Sequence, residues 1–570
     1  MEVLSPYLWT GTGVFYDMGV ISMRLLRRGF SCLLAFFMMA QVTIGVGFAY
    51  REDGSEVQQA AYALYELGLF QGTGVAADGS PIFELERSPS RNEAVTMLVR
   101  LLGRESEALS GSWRMPFTDV AGWAKPYVGF AYGNGLTSGT SSMTYSGEQT
   151  VSATQYLTFL LRALGYSSEL DFRWDRAWEL ADSIGITHGE YGIGTAFTRG
   201  DVALVSYRAL AATLKGQDVT LLDRLAECAA DSADSSFEIT FIDVGQADAA
   251  LVRCDGHCML IDGGNVADSQ RIYTFLRDRG VNHLDYVVCT HPHEDHVGGL
   301  AGALNYASVD RAFCSMTAYN SAAFNNFVRY LERQGKKIEV PAVGEWHRLG
   351  SSFVQVLGPV KTSDNVNNMS IVLRFVYGNT SFLFTGDAER DEEADILEAG
   401  YRLRSTVLKV GHHGSSDSTT YPFLREVAPQ SAVISVGSGN PYGHPTENTL
   451  SRLRDAEVLV YRTDMQGDVL CRSDGKNVTF SVSRNSGADT LGNAGSKQNA
   501  DLDGNGQHEA EGDANATDNV TYVLNTNTMR FHLPSCPSVE QMSTRNKLEF
   551  SGSRDEVVAM GYIPCSRCHP

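Results

Sequence analysis

The sequence predicts a multidomain chain: an α-helical repeat region over residues 55–215, an α/β domain over 236–484 and a small zinc-stapled α+β module over 520–570. Three observations carry this. A Gly-[Leu/Ile]-x-x-Gly turn ends a helical pattern at Gly68, Gly135 and Gly185, so one unit recurs. From Phe237 the pattern changes to short apolar runs alternating with helices, and the run 284–289 stops at a dense cluster of histidine and acid. Near the C-terminus His532, Cys536, Cys565 and Cys568 form two short-spaced ligand pairs.

Composition sets outer limits. At roughly 150 residues per domain, 570 residues predict three or four domains. Hydrophobic content of 43 % and charged content of 20 % are those of globular protein. Lysine and arginine number 46 against 67 acidic residues, a net charge of −21. So acidic a chain does not coat nucleic acid through a broad positive field, although a metal can still hold a nucleic-acid substrate at one site. Ten cysteines are too few for a disulfide-built scaffold.

The basic start Met23-Arg24-Leu25-Leu26-Arg27-Arg28, the apolar run 30–48 and the small-residue end Gly47-Phe48-Ala49 read in order as a signal peptide over 23–49. The run is nearly long enough to span a bilayer, so an N-terminal anchor is the alternative. Residues 1–22 fit neither and are expected to precede the true start. No second spanning segment follows, so the mature chain is expected outside the cell with no transmembrane domain.

Two helices of the repeat region end alike, at Leu98-Val99-Arg100-Leu101-Leu102-Gly103 and Leu160-Leu161-Arg162-Ala163-Leu164-Gly165. Glycine supplies the left-handed cap, and stacked copies bury the apolar face that one helix pair cannot. Pro116-Phe117-Thr118-Asp119-Val120 with Trp123-Ala124 and Tyr127, together with Ser90-Arg91-Asn92-Glu93-Ala94 and Thr198-Arg199-Gly200-Asp201, resembles the S-layer homology (SLH) repeat of bacterial surface proteins. The resemblance implies anchoring to an anionic secondary cell-wall polymer, with Arg91 and Arg199 as donors to its carboxylates and a Gram-positive-type envelope as the setting. The middle repeat has Ala153 in place of the arginine. A purely structural helical domain is the alternative.

In the α/β domain, residues 237–244, 249–254, 259–261 and 284–289 read as strands and 271–279 as a helix. The strand 284–289 delivers Thr290-His291-Pro292-His293-Glu294-Asp295-His296-Val297-Gly298-Gly299. In a loop, His291 and His293 can aim two imidazoles at one ion, while Asp295 and His296 turn into the helix toward a second. Imidazole with carboxylate suits zinc, or manganese less tightly. Further ligands are expected at the ends of later strands. Asp387 ends one and bridges the two ions; one of His412 and His413 ends another and completes the second site.

These residues resemble the metallo-β-lactamase superfamily, and among its members the extracellular domain of ComEC-type competence proteins. The matches include Phe241-Ile242-Asp243-Val244-Gly245-Gln246-Ala247-Asp248, Ile261-Asp262-Gly263-Gly264, Asn367-Asn368-Met369-Ser370 and Tyr442-Gly443-His444-Pro445. The resemblance implies an αββα sandwich with two divalent ions at the strand ends. Ala247 replaces a usual glycine, and Asn367-Asn368 stands where the third histidine of the first site is usual. Asn368 is therefore a possible, weaker first-site ligand, and nearby His347 is expected on the surface. The membrane channel of a competence protein is missing from this pattern, so DNA transport is not expected.

Residues 485–519 are poor in apolar side chains and read as a flexible linker. Asp501-Leu502-Asp503-Gly504-Asn505-Gly506 imitates a calcium loop, but Gly512 occupies the place of its bidentate glutamate. The terminal segment resembles the small metal-binding domain of the Ada repair protein, with His532 replacing the methyl-accepting cysteine. One structural zinc on His532, Cys536, Cys565 and Cys568 is expected; a Cys565–Cys568 disulfide is the alternative. The leading functional reading is an exported, wall-anchored phosphodiesterase acting on DNA or RNA. Asp295 and His444 are its candidate catalytic residues, with His444 protonating the leaving group or hydrogen-bonding a phosphate oxygen. A phosphorylcholine esterase of teichoic acid and a non-enzymatic surface protein are the alternatives.

Overall fold

The computed structural model describes residues 55–77, 79–230 and 235–492, and, in the C-terminal module, 520–526, 530–534, 536, 539, 542, 546–552, 557, 560 and 562–565. The expected leader and signal peptide, the calcium-like stretch and Cys568 lie outside the described residues.

The repeat region is built from helix pairs: Glu56–Glu66 with Arg91–Leu101, Lys125–Gly133 with Ala153–Ala163, and Ala177–Ser183 with Arg199–Ala209. The second helix of each pair starts at a reciprocal cap: Ser90 with Glu93, Ser152 with Gln155, and Thr198 with Asp201. Motifs that mark the repeat in sequence are thus helix N-termini. Arg91–Leu101 packs on Lys125–Gly133, Ala153–Ala163 on Ala177–Ser183, and Arg199–Ala209 back on Glu56–Glu66, closing a ring. The three capped helices meet at its centre, where Leu98, Leu160 and Val205 are fully buried.

The second domain has four layers. An eight-stranded sheet contains Phe237–Phe241, Ala250–Cys254, His257–Ile261, His283–Cys289 and Ser308–Cys314, with Val469–Ser473 and Val478–Val482 at one edge and Ile338–Glu339 at the other. A seven-stranded sheet contains Trp346–Leu349, Ser352–Gly358, Val372–Tyr377, Thr380–Phe384, Val407–Lys409, Ser431–Ile434 and Leu459–Arg462. Their facing sides share one apolar core, with the Phe237 ring 4.7 Å from Phe382 and Phe241 5.6 Å from Phe384. Helices Ser269–Asp278, Leu300–Tyr306 and Ala322–Arg333 cover the outside of the first sheet. Arg390–Ala399, Tyr421–Val427 and Glu447–Asp455 cover the second. Strand Val372–Tyr377 is buried on both faces, so all its side chains but that of Arg374 are apolar or aromatic. This is the αββα sandwich that the resemblance implied.

In each sheet four neighbouring strands run parallel: His257–Ile261, His283–Cys289, Ser308–Cys314 and Ile338–Glu339 in one, and Thr380–Phe384, Val407–Lys409, Ser431–Ile434 and Leu459–Arg462 in the other. Their carboxyl ends open on one rim, where ligand-bearing loops of α/β sheets gather.

The repeats are welded to the sandwich. Trp346, Phe353 and Val376 enter the helical core, and helix Leu221–Ala230 lies on strands Ser352–Gly358 and Val372–Tyr377. Arg348 Nη1 donates to the Leu67 carbonyl at 2.9 Å, and Arg311 pairs with Glu66 at 3.3 Å. Helix Glu56–Glu66 covers strand Trp346–Leu349, so His347, expected at the surface, is 1 % exposed with its ring 4.9 Å from Phe313. Strand periodicity could not show a face that a distant helix covers.

Residues just after 484 stay docked: Thr490 is 9 % exposed, and its hydroxyl donates to the Val460 carbonyl at 2.7 Å. The C-terminal module is a four-stranded sheet of Lys547–Gly552, Val520–Asn525, Arg530–His532 and Ile563–Pro564 around Tyr522, Leu524, Phe531, Val557 and Tyr562. Among the described residues, no helix is long and apolar enough to cross a membrane.

Candidate metal centre

Strand His283–Cys289 ends at Thr290, whose N–H and hydroxyl both donate to Asp262 at 2.8 Å. This fixes the loop that carries His291 and His293 before the short helix Glu294–Val297. The loop also needs Gly299: a Cβ there would stand 1.9 Å from the Gly263 carbonyl oxygen. His291 and His296 are fully buried, and His291 Nε2 lies 3.0 Å from His293 Nδ1.

The other sheet supplies the rest. Strand Thr380–Phe384 leads to Asp387, which is 2 % exposed and donates its N–H to Ser370 Oγ at 3.0 Å. Strand Val407–Lys409 leads to His412 and His413, both left-handed, at φ 47° and 52°. Two consecutive side chains in that region are strained, and the strain turns both rings toward the rim.

Asp295, His296, Asp387 and His413 bring ligand atoms within 4.8 Å of one another. His296 Nε2 is 3.3 Å and His413 Nε2 3.7 Å from Asp387 Oδ2, and His413 Nε2 is 3.4 Å from Asp295 Oδ2. Tetrahedral ligands about 2.1 Å from one zinc ion stand roughly 3.4 Å apart, so the set fits one ion. His296 Nε2, His413 Nε2 and Asp387 Oδ1 are buried with no hydrogen-bond partner, a cost that a bound cation would offset. The donor chemistry and the orphaned atoms both fit a divalent cation.

Electrostatics agree. Burial would lower the His413 imidazole, yet Asp387 and Asp248 carry it up to about 10. Burial would raise Asp295, yet His296 and His413 bring its carboxyl down to about 2. Positive charge is wanted here. Around His291 the opposite holds: burial, then His296, hold it well below the ordinary imidazole value.

No second set of such ligands forms around His291 and His293 among the described residues. Asn368, the expected weak ligand, is 4 % exposed and spends its side-chain oxygen on the Glu389 N–H at 2.9 Å. The Asn367 amide donates to Glu389 Oε1 at 2.7 Å. The asparagine pair therefore braces Glu389, which in turn stands 3.2 Å from His412 Nδ1. His412 Nε2 reaches to 3.7 Å of Asp387 Oδ2. His413 thus joins Asp295 and His296, while His412 faces the Asp387 carboxylate from elsewhere.

His444 lies on the outer wall, its ring 5.6 Å from His412. Asn440 pins its loop, donating to the Gly437 and His444 carbonyls and accepting from the Tyr442 and His444 N–H groups. Burial, then His412 and His413, push His444 down to about 4, so at neutral pH it presents an uncharged ring. Tyr442, 69 % exposed, stacks on it at 5.8 Å.

Sequence reasoning did not assign the carboxylates behind the ligands. Asp262 Oδ2 sits 2.8 Å from His296 Nδ1, and Asp248 Oδ1 3.3 Å from His413 Nδ1. Their signal was an acid beside a strand, Asp262 just after His257–Ile261 and Asp248 just before Ala250–Cys254.

Far from this rim, Arg91 and Arg199 are each 5 % exposed. Arg91 donates to the Tyr145 and Ser138 carbonyls at 3.1 and 2.6 Å, and Arg199 to Phe83 and Gln71 at 2.9 and 3.2 Å. Each clasps the loop of an adjoining repeat. In the C-terminal module His532, Cys536 and Cys565 converge with ligand atoms within 4.8 Å, and His532 Nδ1 is buried without a partner.

Comparison with known proteins agrees with these features. The metallo-beta-lactamase superfamily matches residues 242–438, and the S-layer homology domain matches residues 116–152. ComE operon protein 3 of Bacillus subtilis is 29 % identical over 267 residues, 44 % of this chain and 34 % of that protein. Competence protein ComA of Neisseria gonorrhoeae is 33 % identical over 231 residues, 40 % of this chain and 31 % of that protein. A cell surface protein of Thermoanaerobacter kivui is 30 % identical over 189 residues, 31 % of this chain and 24 % of that protein. The chain spans about a third of the length of the first two.

Proposed function

We propose that this chain, which joins an S-layer homology domain to a hydrolase domain of the metallo-β-lactamase superfamily, is a surface-anchored, metal-dependent phosphodiesterase acting on nucleic acid. The convergence of Asp295, His296, Asp387 and His413, with three buried ligand atoms left unpartnered, carries the reading. His291 and His293 supply a second, looser position beside it. Divalent ions held there would make water acidic enough to attack at neutral pH and offset charge on a phosphodiester.

The protein's own groups do the rest. Asp387 lies between the two positions and would hold them in register. Asp295 keeps its carboxylate charged beside His413. Neutral His444 can hydrogen-bond a phosphate oxygen; a ring held uncharged at neutral pH does not suit the other expected role, protonating the departing oxygen. The likeness to a protein named for competence favours nucleic acid as substrate. The S-layer homology domain and the likeness to a cell surface protein favour a cell-wall polymer as anchor and a Gram-positive-type envelope, with Arg91 and Arg199, buried on loop carbonyls, shaping the repeats rather than donating to the polymer. His532, Cys536 and Cys565, with Cys568, would hold one structural zinc.

A second reading has its own support. Exposed Tyr442 stacked on His444, with Asp417 acting on that ring, suits a quaternary ammonium group such as phosphorylcholine on teichoic acid. The test is hydrolysis of single-stranded DNA, RNA, bis-p-nitrophenyl phosphate and choline-bearing teichoic acid by metal-loaded protein and by His296→Ala. Metal-dependent cleavage of the nucleic acids, lost in the variant, supports the proposal. Cleavage of teichoic acid alone replaces it with the second reading, and inertness on every substrate overturns both.

A further inference from the structure

Behind the rim lies a charged pair that none of the chemistry above requires. Lys409, the last residue of strand Val407–Lys409, is 4 % exposed, and its Nζ lies 2.7 Å from Asp248 Oδ2 and 2.9 Å from the Val410 carbonyl. Asp248 is 5 % exposed. Burying an ammonium is costly, and this one neither reaches solvent nor points into the rim.

What Asp248 touches explains the expense. Its N–H donates to the Asp295 carbonyl at 3.0 Å, and its own carbonyl accepts from Gly264 at 2.8 Å. Its Oδ1 faces His413 Nδ1 at 3.3 Å, beside the Ser435 carbonyl at 3.0 Å. Both neighbours of Nδ1 can only accept a hydrogen bond, so Nδ1 must carry the proton. That turns Nε2 toward Asp295 and Asp387, where it is the ring atom that would coordinate an ion. Asp248 therefore meets two of the four residues that converge on one point, through a backbone hydrogen bond to Asp295 and through a charged contact with His413, whose Nδ1 is hydrogen-bonded to Ser435.

The parallel with His296 sharpens the point. Asp262 stands behind that ring but is held by the neutral donors of Thr290. Asp248 has a ligand atom of Asp262 within 4.8 Å, and the cavity bordered by Asp248, Asp262 and Lys409 measures only about 10 Å³, at the limit for one water. A cation fixed by the fold can hold the Asp248 carboxylate ionised and aimed there, where water cannot.

We propose that Lys409 and Asp248 are positioning residues that lock the His413 tautomer and orientation, and thereby set the affinity of the ion held by Asp295, His296, Asp387 and His413. The proposal rests on the metal-centre reading. Partners behind metal-ligating histidines are worth about ten- to a hundredfold in affinity. Asp248→Asn keeps the shape but presents an amide N–H or an uncharged oxygen to His413, so the tight ion should bind at least about tenfold more weakly.

The test titrates zinc into full-length apo protein, parent and variants, against a chromogenic chelator, and reads the His413 ring tautomer by ¹⁵N NMR. Lys409→Met strands a buried carboxylate and can fail to fold; the double variant Asp248→Asn/Lys409→Met removes both charges and keeps the test available. Weakening of the tight ion beyond about fivefold in Asp248→Asn or the double variant, with loss of the Nδ1-protonated ring, supports the proposal. A smaller change in affinity, or an unchanged tautomer, overturns it, whatever happens to the melting temperature. A parent protein that binds no zinc at this cluster refutes the metal-centre reading itself, a distinguishable result.

Discussion

His412 and His413, neighbours in sequence, face the same oxygen from different sides: each Nε2 stands 3.7 Å from Asp387 Oδ2, with the rings 6.1 Å apart. Their left-handed backbone makes this splay, which extended or helical residues would not. The pair should therefore serve two ions unequally. His413→Ala should remove the tight ion, and His412→Ala should weaken only the looser one beside His291 and His293. Zinc titration of the apo variants checks both. Asn368→His should not tighten the looser site, because the Asn368 oxygen is committed to Glu389.

The junction between repeats and sandwich should be acid-sensitive. Burial, then Arg311, lower His347 to about 3, whereas an unfolded histidine titrates near 6.5. The folded state binds fewer protons between these values, so His347 favours folding above pH 6.5 and loses that contribution as pH falls. At pH 5 the loss is about 2 kcal/mol. His347→Asn should flatten the fall in melting temperature between pH 7 and 5; an unchanged slope would show that this ring is not responsible.

Glu392 should act in the opposite sense. Burial raises its carboxyl to about 8 although it accepts the Val360 N–H at 2.8 Å. An unfolded glutamate ionises near 4.3, so the folded state holds the extra proton between those values and stability falls as pH rises through them. Glu392→Gln keeps the acceptor and removes the ionisation. It should gain roughly 3 kcal/mol more at pH 9 than at pH 6, read from denaturant melts at both.

Much of this was legible in the sequence, for physical reasons. The Ser90-Arg91-Asn92-Glu93-Ala94 motif and the glycine turns announced the repeats, and apolar runs ending in Asp387 or His291 announced strands feeding one rim. Legibility failed where distant segments meet. Nothing local marks His347 as covered by helix Glu56–Glu66, Asn368 as bound to Glu389, or Lys409 as the partner of Asp248 across 161 residues. Such pairings are decided by topology, and side-chain type is silent about them.

The C-terminal cluster gives a separate expectation. If His532, Cys536 and Cys565 hold zinc, Cys565→Ser should lower the zinc content of the full chain by one equivalent and leave the tight site at the rim unchanged. Metal analysis beside chelator titration reads both. An unchanged total would remove the structural zinc from the account.

The central claim is that Asp295, His296, Asp387 and His413 hold a divalent ion, and anomalous diffraction tests it most directly. Crystals of full-length protein grown with zinc and measured on both sides of its absorption edge should show a peak bounded by these four side chains. A weaker second peak is expected beside His291 and His293. Absence of any peak at the four-residue cluster, in crystals whose C-terminal module binds zinc, would contradict the account.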